Sequence, residues 1–290
     1  MDLSRLLKPN NRPHSPVHAG EVSPAQGMRG KSASSEGMWR LLATPLLAFF
    51  LIPVVLLFTR TSPEEFIHSL NLAQVRQAIG VSMRTTVVSV GIIVGLGTPL
   101  AYWLGRYNFR FKRFVDTLID LPTILPPSVA GVALLITFGR RGLIGGWLEM
   151  AGVQLAFTQI AVVMAQVFIA TPFFIRTASV GFRGVEYELE EAAQLDGANR
   201  WQVFRYVILP LSQNALISGG MMSWARALGE FGATILFAGN LPGITQTMPT
   251  AIYLGFEVDV NIAVTLSVIL VLVSFGALWL VKGLLARLDA

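Results

Sequence analysis

Cysteine is absent from this chain of 290 residues, which removes disulfides, thiolate metal sites and cysteine nucleophiles together. Histidine is nearly absent. Of the three, His14 and His18 lie in a polar N-terminal stretch, leaving only His68. That is too little material for a histidine-based metal or acid–base centre. Charge is scarce too: Asp, Glu, Lys and Arg make up 13% of the chain, against about 25% in ordinary soluble domains. No Gly-x-x-x-x-Gly-Lys-Ser/Thr stretch occurs, so the chain has no loop of its own to cradle ATP phosphates.

What is present is apolar. Hydrophobic residues make up 53% and the mean hydropathy is +0.60. That excludes a disordered chain and points to a membrane-embedded one. The net charge of +5 then reads as cytoplasmic loop charge rather than a nucleic-acid footprint. Residues 1–36 carry Ser, Pro, Gly and scattered charge without an apolar period and are expected to form a disordered cytoplasmic tail. Residues 37–290 form the transmembrane domain.

A hydrocarbon core of ~30 Å needs about 20 mostly apolar helical residues. Six charge-free stretches qualify. They lie between Arg40 and Arg60, Arg84 and Arg106, Asp120 and Arg140, Glu149 and Arg176, Arg205 and Arg226, and Asp259 and Lys282. The expected spans are 39–58, 82–104, 122–139, 158–178, 212–237 and 261–283. A seventh stretch, Phe231 to Phe256, contains GNLPGITQTMP. Its backbone would be unsatisfied in lipid, so it reads as the end of the fifth helix and a loop. With the N-terminus inside, sixteen Lys and Arg fall on the inner side and four (Arg60, Arg76, Arg140 and Arg141) on the outer side. Arg84 and Arg226 fall at or within helices. The positive-inside rule therefore gives N-in and C-in. Pro45 and Pro53 mark possible kinks in the first helix. LPTILPP, residues 121–127, gives the third an irregular opening, and Gly91, Gly95 and Gly97 suit close packing of the second.

The informative stretch is the inner loop 183–210, RGVEYELEEAAQLDGANRWQVFRYVILP. Strong helix formers run from Glu186 to Leu195, and Gly197 is a natural stop. Asn199 with Gln202 three residues later can cap a second helix. Pro210 follows near the start of the fifth span. The pattern is helix, tight turn, helix. Ala192 and Ala193 thin one side of the first helix so that it can seat in a partner's groove. Glu186, Glu188, Glu190 and Glu191 offer charge. By composition alone, a solvated amphipathic loop fits equally well.

Glu191, Ala192, Ala193, Asp196, Gly197, Ala198, Leu209 and Pro210 together resemble the EAA motif of binding-protein-dependent ABC importer permeases. A second stretch, WARALGEFGATILFAGNLPGITQTMPTAIY at 224–253, resembles the molybdate and tungstate permeases, as does LPTILPPSVAG at 121–131. Sulfate permeases share the Arg226-Ala227-x-Gly229-Glu230 core. The resemblance covers roughly residues 75–285. It implies an all-α polytopic membrane protein with the type I ABC importer permease fold in a bacterial-type inner membrane. It implies that 183–210 docks on a cytoplasmic ABC ATPase dimer carrying the ATP and Mg, with no cofactor on this chain. It also implies a second permease copy, identical in the molybdate branch and different in the sulfate branch. An extracytoplasmic oxyanion-binding protein completes the set; lipid surrounds the chain and nucleic acid has no part.

Arg226 and Glu230 lie four apart on the fifth helix and share a face. Arg226 is ~20 Å along from Gln213, at a depth where an unpaired charge costs at least a few kcal/mol. The pair either neutralises itself as a structural contact or offers Arg226 to an oxyanion in the pathway. The structural account is the stronger, because a transporter should not hold its cargo tightly. Asn240, Thr245, Gln246 and Thr247 fall on the outer side, as an outer gate, a meeting point with the binding protein, or an ordinary loop. The rival from another class is an ion-coupled secondary transporter. It would need buried acids or histidines at the midplane, and only Glu230 is available.

Overall fold

The computed structural model describes residues 29–288, and among these every regular element is a helix. The tail expected over 1–36 lies outside the described residues for its first 28; its remainder forms the opening turns of the first helix. The chain divides into two units, residues 1–55 and 56–290. The first contains most of α1 (Arg29–Thr59), which runs through Pro45 and Pro53. Its segment Met38–Thr59 is long and apolar enough to cross a membrane.

The second unit opens with α2 (Pro63–Asn71), started by a Ser62–Glu65 capping box with Pro63 in the first turn. The long α3 (Ala73–Arg106) follows, then α4 (Lys112–Ile124) and α5 (Pro127–Phe138). The stretch read as an irregular opening is a sharp corner. Leu125 and Pro126 are extended, and α4 and α5 meet at 113°. At ~1.5 Å per residue α5 spans only ~18 Å, too short to cross a bilayer core of ~30 Å alone. After the short α6 (Gly145–Met150) comes α7 (Gln159–Arg183), capped by Thr158. The loop helices α8 (Tyr187–Leu195) and α9 (Arg200–Val203) precede a π-helical turn at Phe204–Ile208 and α10 (Leu209–Leu211). The stretch expected as one fifth span is divided into α11 (Gln213–Leu228) and α12 (Gly232–Phe237). Finally come α13 (Met248–Val258) and α14 (Val260–Leu288). By length and composition, four described segments can each cross a membrane alone: those in α1, α3, α7 and α14. The bent pair α4–α5 adds a fifth if it is counted as one broken span rather than a re-entrant loop.

α3, α7 and α11 form the centre of the second unit. Small residues set their spacing, as expected where helices associate by close packing. A Cβ on Gly97 would lie 2.8 Å from the Phe174 ring, and one on Gly105 3.0 Å from the Ser179 carbonyl oxygen. Gly181 faces Ala215 just as tightly. Of the three glycines singled out in the second span only Gly97 meets a neighbour; Gly91 and Gly95 open onto free space. Buried polar contacts add direction. Ser89 Oγ donates to Gln166 Oε1 at 2.9 Å, and Gln166 Nε2 donates to Thr86 Oγ1 at 3.3 Å. Ser223 Oγ donates to the Ala170 carbonyl at 2.9 Å. Arg176 of α7 holds α4: Nε donates to Asp120 Oδ1 at 2.6 Å and Nη1 to Asp116 Oδ1 at 2.9 Å.

Candidate functional site

The EAA-like loop is an ordered appendage of the bundle. Asp196 N–H donates to the Ala192 carbonyl at 3.1 Å, and Gly197 then turns with φ +89°, where a side chain would be strained. Ala198 N–H returns to the Ala193 carbonyl at 3.0 Å, closing the end of α8. Asn199 and Gln202 form the expected capping box, with bonds of 2.8 and 2.9 Å. Phe204 seats the turn on the bundle through Tyr102 (ring centroids 4.9 Å), which in turn meets Phe182 at 5.5 Å. The π-turn precedes Pro210, which has no N–H to give and would obstruct a regular helix behind it. Leu209 is half-buried and Pro210 exposed.

Arg106, at the last position of α3, ties these parts together. Its Nη1 donates to the Phe182 and Val185 carbonyls at 3.1 and 2.6 Å. Its guanidinium lies 3.9 Å over the Tyr187 ring and forms an ion pair with Glu190. Tyr187 Oη donates back to the Arg106 carbonyl at 3.3 Å. Two carbonyls, a carboxylate and a ring thus converge on one cation, from α7, from the turn after it and from α8.

The loop divides the expected docking residues between two faces. Ala193 and Ala198 pack inward on the cluster of Phe182, Val203 and Ile208, and Glu190 turns in to Arg106. Glu191, Ala192 and Asp196 point outward. Leu189, Trp201 and Tyr206 accompany them, and Leu195 is 89% exposed. So the small-residue side of α8 is Ala192 alone on the outside, with exposed large apolar side chains elsewhere on the loop.

Arg226 and Glu230 are paired, with Nη1 2.8 Å from Oε2. Glu230 is buried and Arg226 28% exposed. Glu230 also sits in the break between α11 and α12. Its Oε1 accepts from the Ala233 N–H at 2.8 Å, so the carboxylate satisfies one of the unpaired amides at the start of α12.

The expected gate residues fold in on themselves. Thr245 Oγ1 accepts from the Leu241 N–H at 3.0 Å, and Thr250 Oγ1 accepts from the Thr247 N–H at 2.8 Å. Asn240 Nδ2 reaches the Thr250 carbonyl at 3.5 Å. Thr245, Gln246 and Thr247 are all buried. The Met248 N–H donates to Ser82 Oγ at 2.7 Å and pins the loop to α3. Gln246 borders a small cavity of about 80 Å³ shared with Gln74 and Asp259.

Residues 97–289 match the family described as binding-protein-dependent transport system inner membrane component. The chain belongs to this family. It is therefore a multi-pass inner membrane transport component. Among its relatives is the molybdenum transport system permease protein ModB of Mycobacterium tuberculosis, 39% identical over 79% of this chain and 86% of the relative. ModB of Escherichia coli K12 is 39% identical over 61% of this chain and 78% of the relative. The fold is that of a bacterial alginate ABC transporter, solved in complex with an alginate pentasaccharide-bound periplasmic protein. The match has a TM-score of 0.71 at 16% identity and covers 89% of this chain and 96% of that one.

In this transport component two features are hidden from the sequence. Along the chain Arg106 shows only as inner-side charge, because its partners lie 76 to 84 positions away. Leu195 and Trp201 look like ordinary helix residues. They do carry a signal, being large apolar side chains in a loop otherwise rich in acid and amide.

Proposed function

We propose that this chain is the membrane-spanning subunit of an ABC importer for molybdate or tungstate. The observation that carries the reading is the loop 183–210, an ordered two-helix platform on which the apolar side chains Leu189, Leu195 and Trp201 are exposed. Such a face suits a protein partner, and the EAA-like residues make that partner a cytoplasmic ABC ATPase. The ModB relatives and the stretch 224–253 support the cargo.

In this reading six spans are formed by α1, α3, α4–α5, α7, α11–α12 and α14. The N- and C-termini are cytoplasmic, as the excess of inner Lys and Arg favours. Two identical copies enclose the pathway. Two ATPase subunits, which hold ATP and Mg, dock on the two loops, and a binding protein delivers the anion outside. ATP binding draws the ATPases and the loops together, and the rigid connection through Arg106 carries the movement into α3 and α7. The pathway turns outward to accept anion; hydrolysis reverses the swing. Arg226 and Glu230 act as a structural pair at the α11–α12 break. Asn240, Thr245, Gln246 and Thr247 frame the outer gate as a rigid turn.

Sulfate import is the nearest alternative, since its cargo is also a tetrahedral dianion. Radiolabelled molybdate uptake in cells with and without the chain, with excess sulfate as competitor, decides between them. Chain-dependent uptake that ignores sulfate is expected. Uptake abolished by sulfate moves the assignment to sulfate and removes the support for two identical copies. Uptake indifferent to the chain sinks both.

A further inference from the structure

Arg76 and Arg84 are the two basic residues of α3 that none of the roles above uses. They stand at i and i+8 with Gly80 between them, so all three form one stripe of the helix. The two cations are separated by ~12 Å of helix rise. Both line an open cleft of about 310 Å³, with Gln77 and Gly80 of α3, Gln159 of α7 and Gly243 of the loop before α13. No carboxylate lines this cleft. Neither guanidinium has a hydrogen-bond or ion-pair partner among the described residues.

Both side chains are exposed, and the local electrostatics favour an anion beside them. Arg76 sits in the first turn of α3, which carries no acid. The helix dipole is positive there, so a cation is disfavoured. Gln159 opens α7, so a second positive helix end borders the same cleft. Arg84 is 22 positions before Arg106, or ~33 Å along α3. The cleft therefore lies about one hydrocarbon thickness from the ATPase-docking loop, on the outer side in the orientation proposed above. Gly80 leaves the space between the arginines open, since a Cβ there would meet nothing within 4 Å. Gly243, at φ +75°, lets the loop lie against Gln77. At ~30 Å³ per water, the cleft has room for about ten waters, or for a small oxyanion with part of its hydration shell.

We infer that the Arg76–Gly80–Arg84 stripe is a low-affinity loading site for a tetrahedral oxyanion at the outer mouth of the permease. The two guanidiniums supply charge and forked donors, and Gln77 and Gln159 supply neutral hydrogen bonds. The open, hydrated form keeps binding weak enough for release. The inference rests on the oxyanion-import reading and names where the cargo first meets this chain.

Because the chain has no cysteine, Gly80→Cys places a single thiol between the arginines. The variant is prepared in the full transporter with its ATPase and binding protein, in phosphatidylcholine vesicles with and without phosphatidylglycerol. Labelling rates are measured for a sulfonate-bearing and a neutral methanethiosulfonate, with and without millimolar molybdate. Focused positive potential should favour the anionic reagent, and Arg76→Gln with Arg84→Gln should lower the anionic-to-neutral rate ratio by about tenfold. Molybdate should slow labelling only while the arginines are present. In the chain without the introduced thiol, the same double substitution should cut uptake by about tenfold and leave ATPase stimulation by the loaded binding protein intact. Arg84→Lys should restore part of the uptake.

Protection that is absent, or that survives loss of both arginines, overturns the site. Protection conferred by phosphatidylglycerol in place of molybdate assigns the arginines to a lipid headgroup and overturns it too. Loss of ATPase stimulation together with uptake makes them a contact for the binding protein, and the loading site is again overturned. A parent complex that imports no molybdate, tungstate or sulfate overturns the functional reading instead, and the labelling result still decides whether an oxyanion binds here.

Discussion

The Arg106 guanidinium pairs with Glu190 while the Arg106 carbonyl accepts from Tyr187 Oη. The end of α3 therefore grips α8 by side chain and main chain at once. In the proposed importer, a platform held in this way would move with α3 and α7 and pass on the force of a docked ATPase.

Arg106→Met should loosen the platform. It leaves Glu190 without its cation and two carbonyls without their donor. Breaking such a pair costs on the order of 3 kcal/mol, toward the lower end of the range because Glu190 keeps some solvent access. The other two core clusters of the bundle are untouched, so it should still fold. Limited proteolysis should show new cleavage between 184 and 200, and ATPase co-purification should fall. Glu190→Gln, which keeps an acceptor, should do less. Unchanged protease resistance in Arg106→Met would show that the clamp does not order the loop.

Ala192 and Ala193 are neighbours that face opposite ways, Ala192 outward and Ala193 onto the core. Ala193→Trp forces a large side chain into the cluster of Phe182, Val203 and Ile208 and should destabilise the loop, since overpacking costs about 1–3 kcal/mol. Ala192→Trp and Leu195→Asp alter only the outer face, where the expected stability change is within about 0.5 kcal/mol. Both should nonetheless abolish ATPase co-purification. Thermal unfolding of the purified chain separates the two classes. Leu195→Asp binding ATPase normally would remove the apolar face from the docking site.

The loop is legible in the sequence because its signals are local: Gly197 for the turn, Asn199 and Gln202 for the cap, Pro210 for the end. Arg106 is not, because its role depends on where the ends of α3 and α7 meet. Four spans, in α1, α3, α7 and α14, are legible as runs without charge, but the breaks inside the other expected spans are only partly so. The prolines of 121–127 announce the corner between α4 and α5. The gap between α11 and α12 is marked only by Gly229 and Gly232, weaker breakers than proline, and there the buried Glu230 carboxylate takes up the Ala233 N–H. The glycine stripe misleads for a similar reason. Periodicity puts Gly91, Gly95 and Gly97 on the same helix, and only the packing of α7 decides that Gly97 alone is covered.

Those glycines give a stability test with an internal control. Gly97→Leu drives a side chain into Phe174 and should cost about 1–3 kcal/mol, read as a lower unfolding temperature of the purified chain. Gly91→Leu enters free space and should be neutral or slightly stabilising, as the helix gains propensity. Equal losses in both variants would mean that Gly91 is covered in the assembled transporter by a second copy or another subunit.

The Arg226–Glu230 pair yields to a double-mutant cycle. Arg226→Gln strands the fully buried Glu230 and should cost about 3–5 kcal/mol. Glu230→Gln strands Arg226, but that residue is 28% exposed and can turn its charge toward water. The new amide oxygen can still accept from Ala233, so the loss should be smaller. Removing both charges should recover much of what Arg226→Gln loses, the signature of two groups whose main task is to neutralise each other. Oxyanion uptake should follow stability across the four proteins. If the double variant regained stability and uptake remained abolished, Arg226 would be acting on the passing anion and not merely on Glu230.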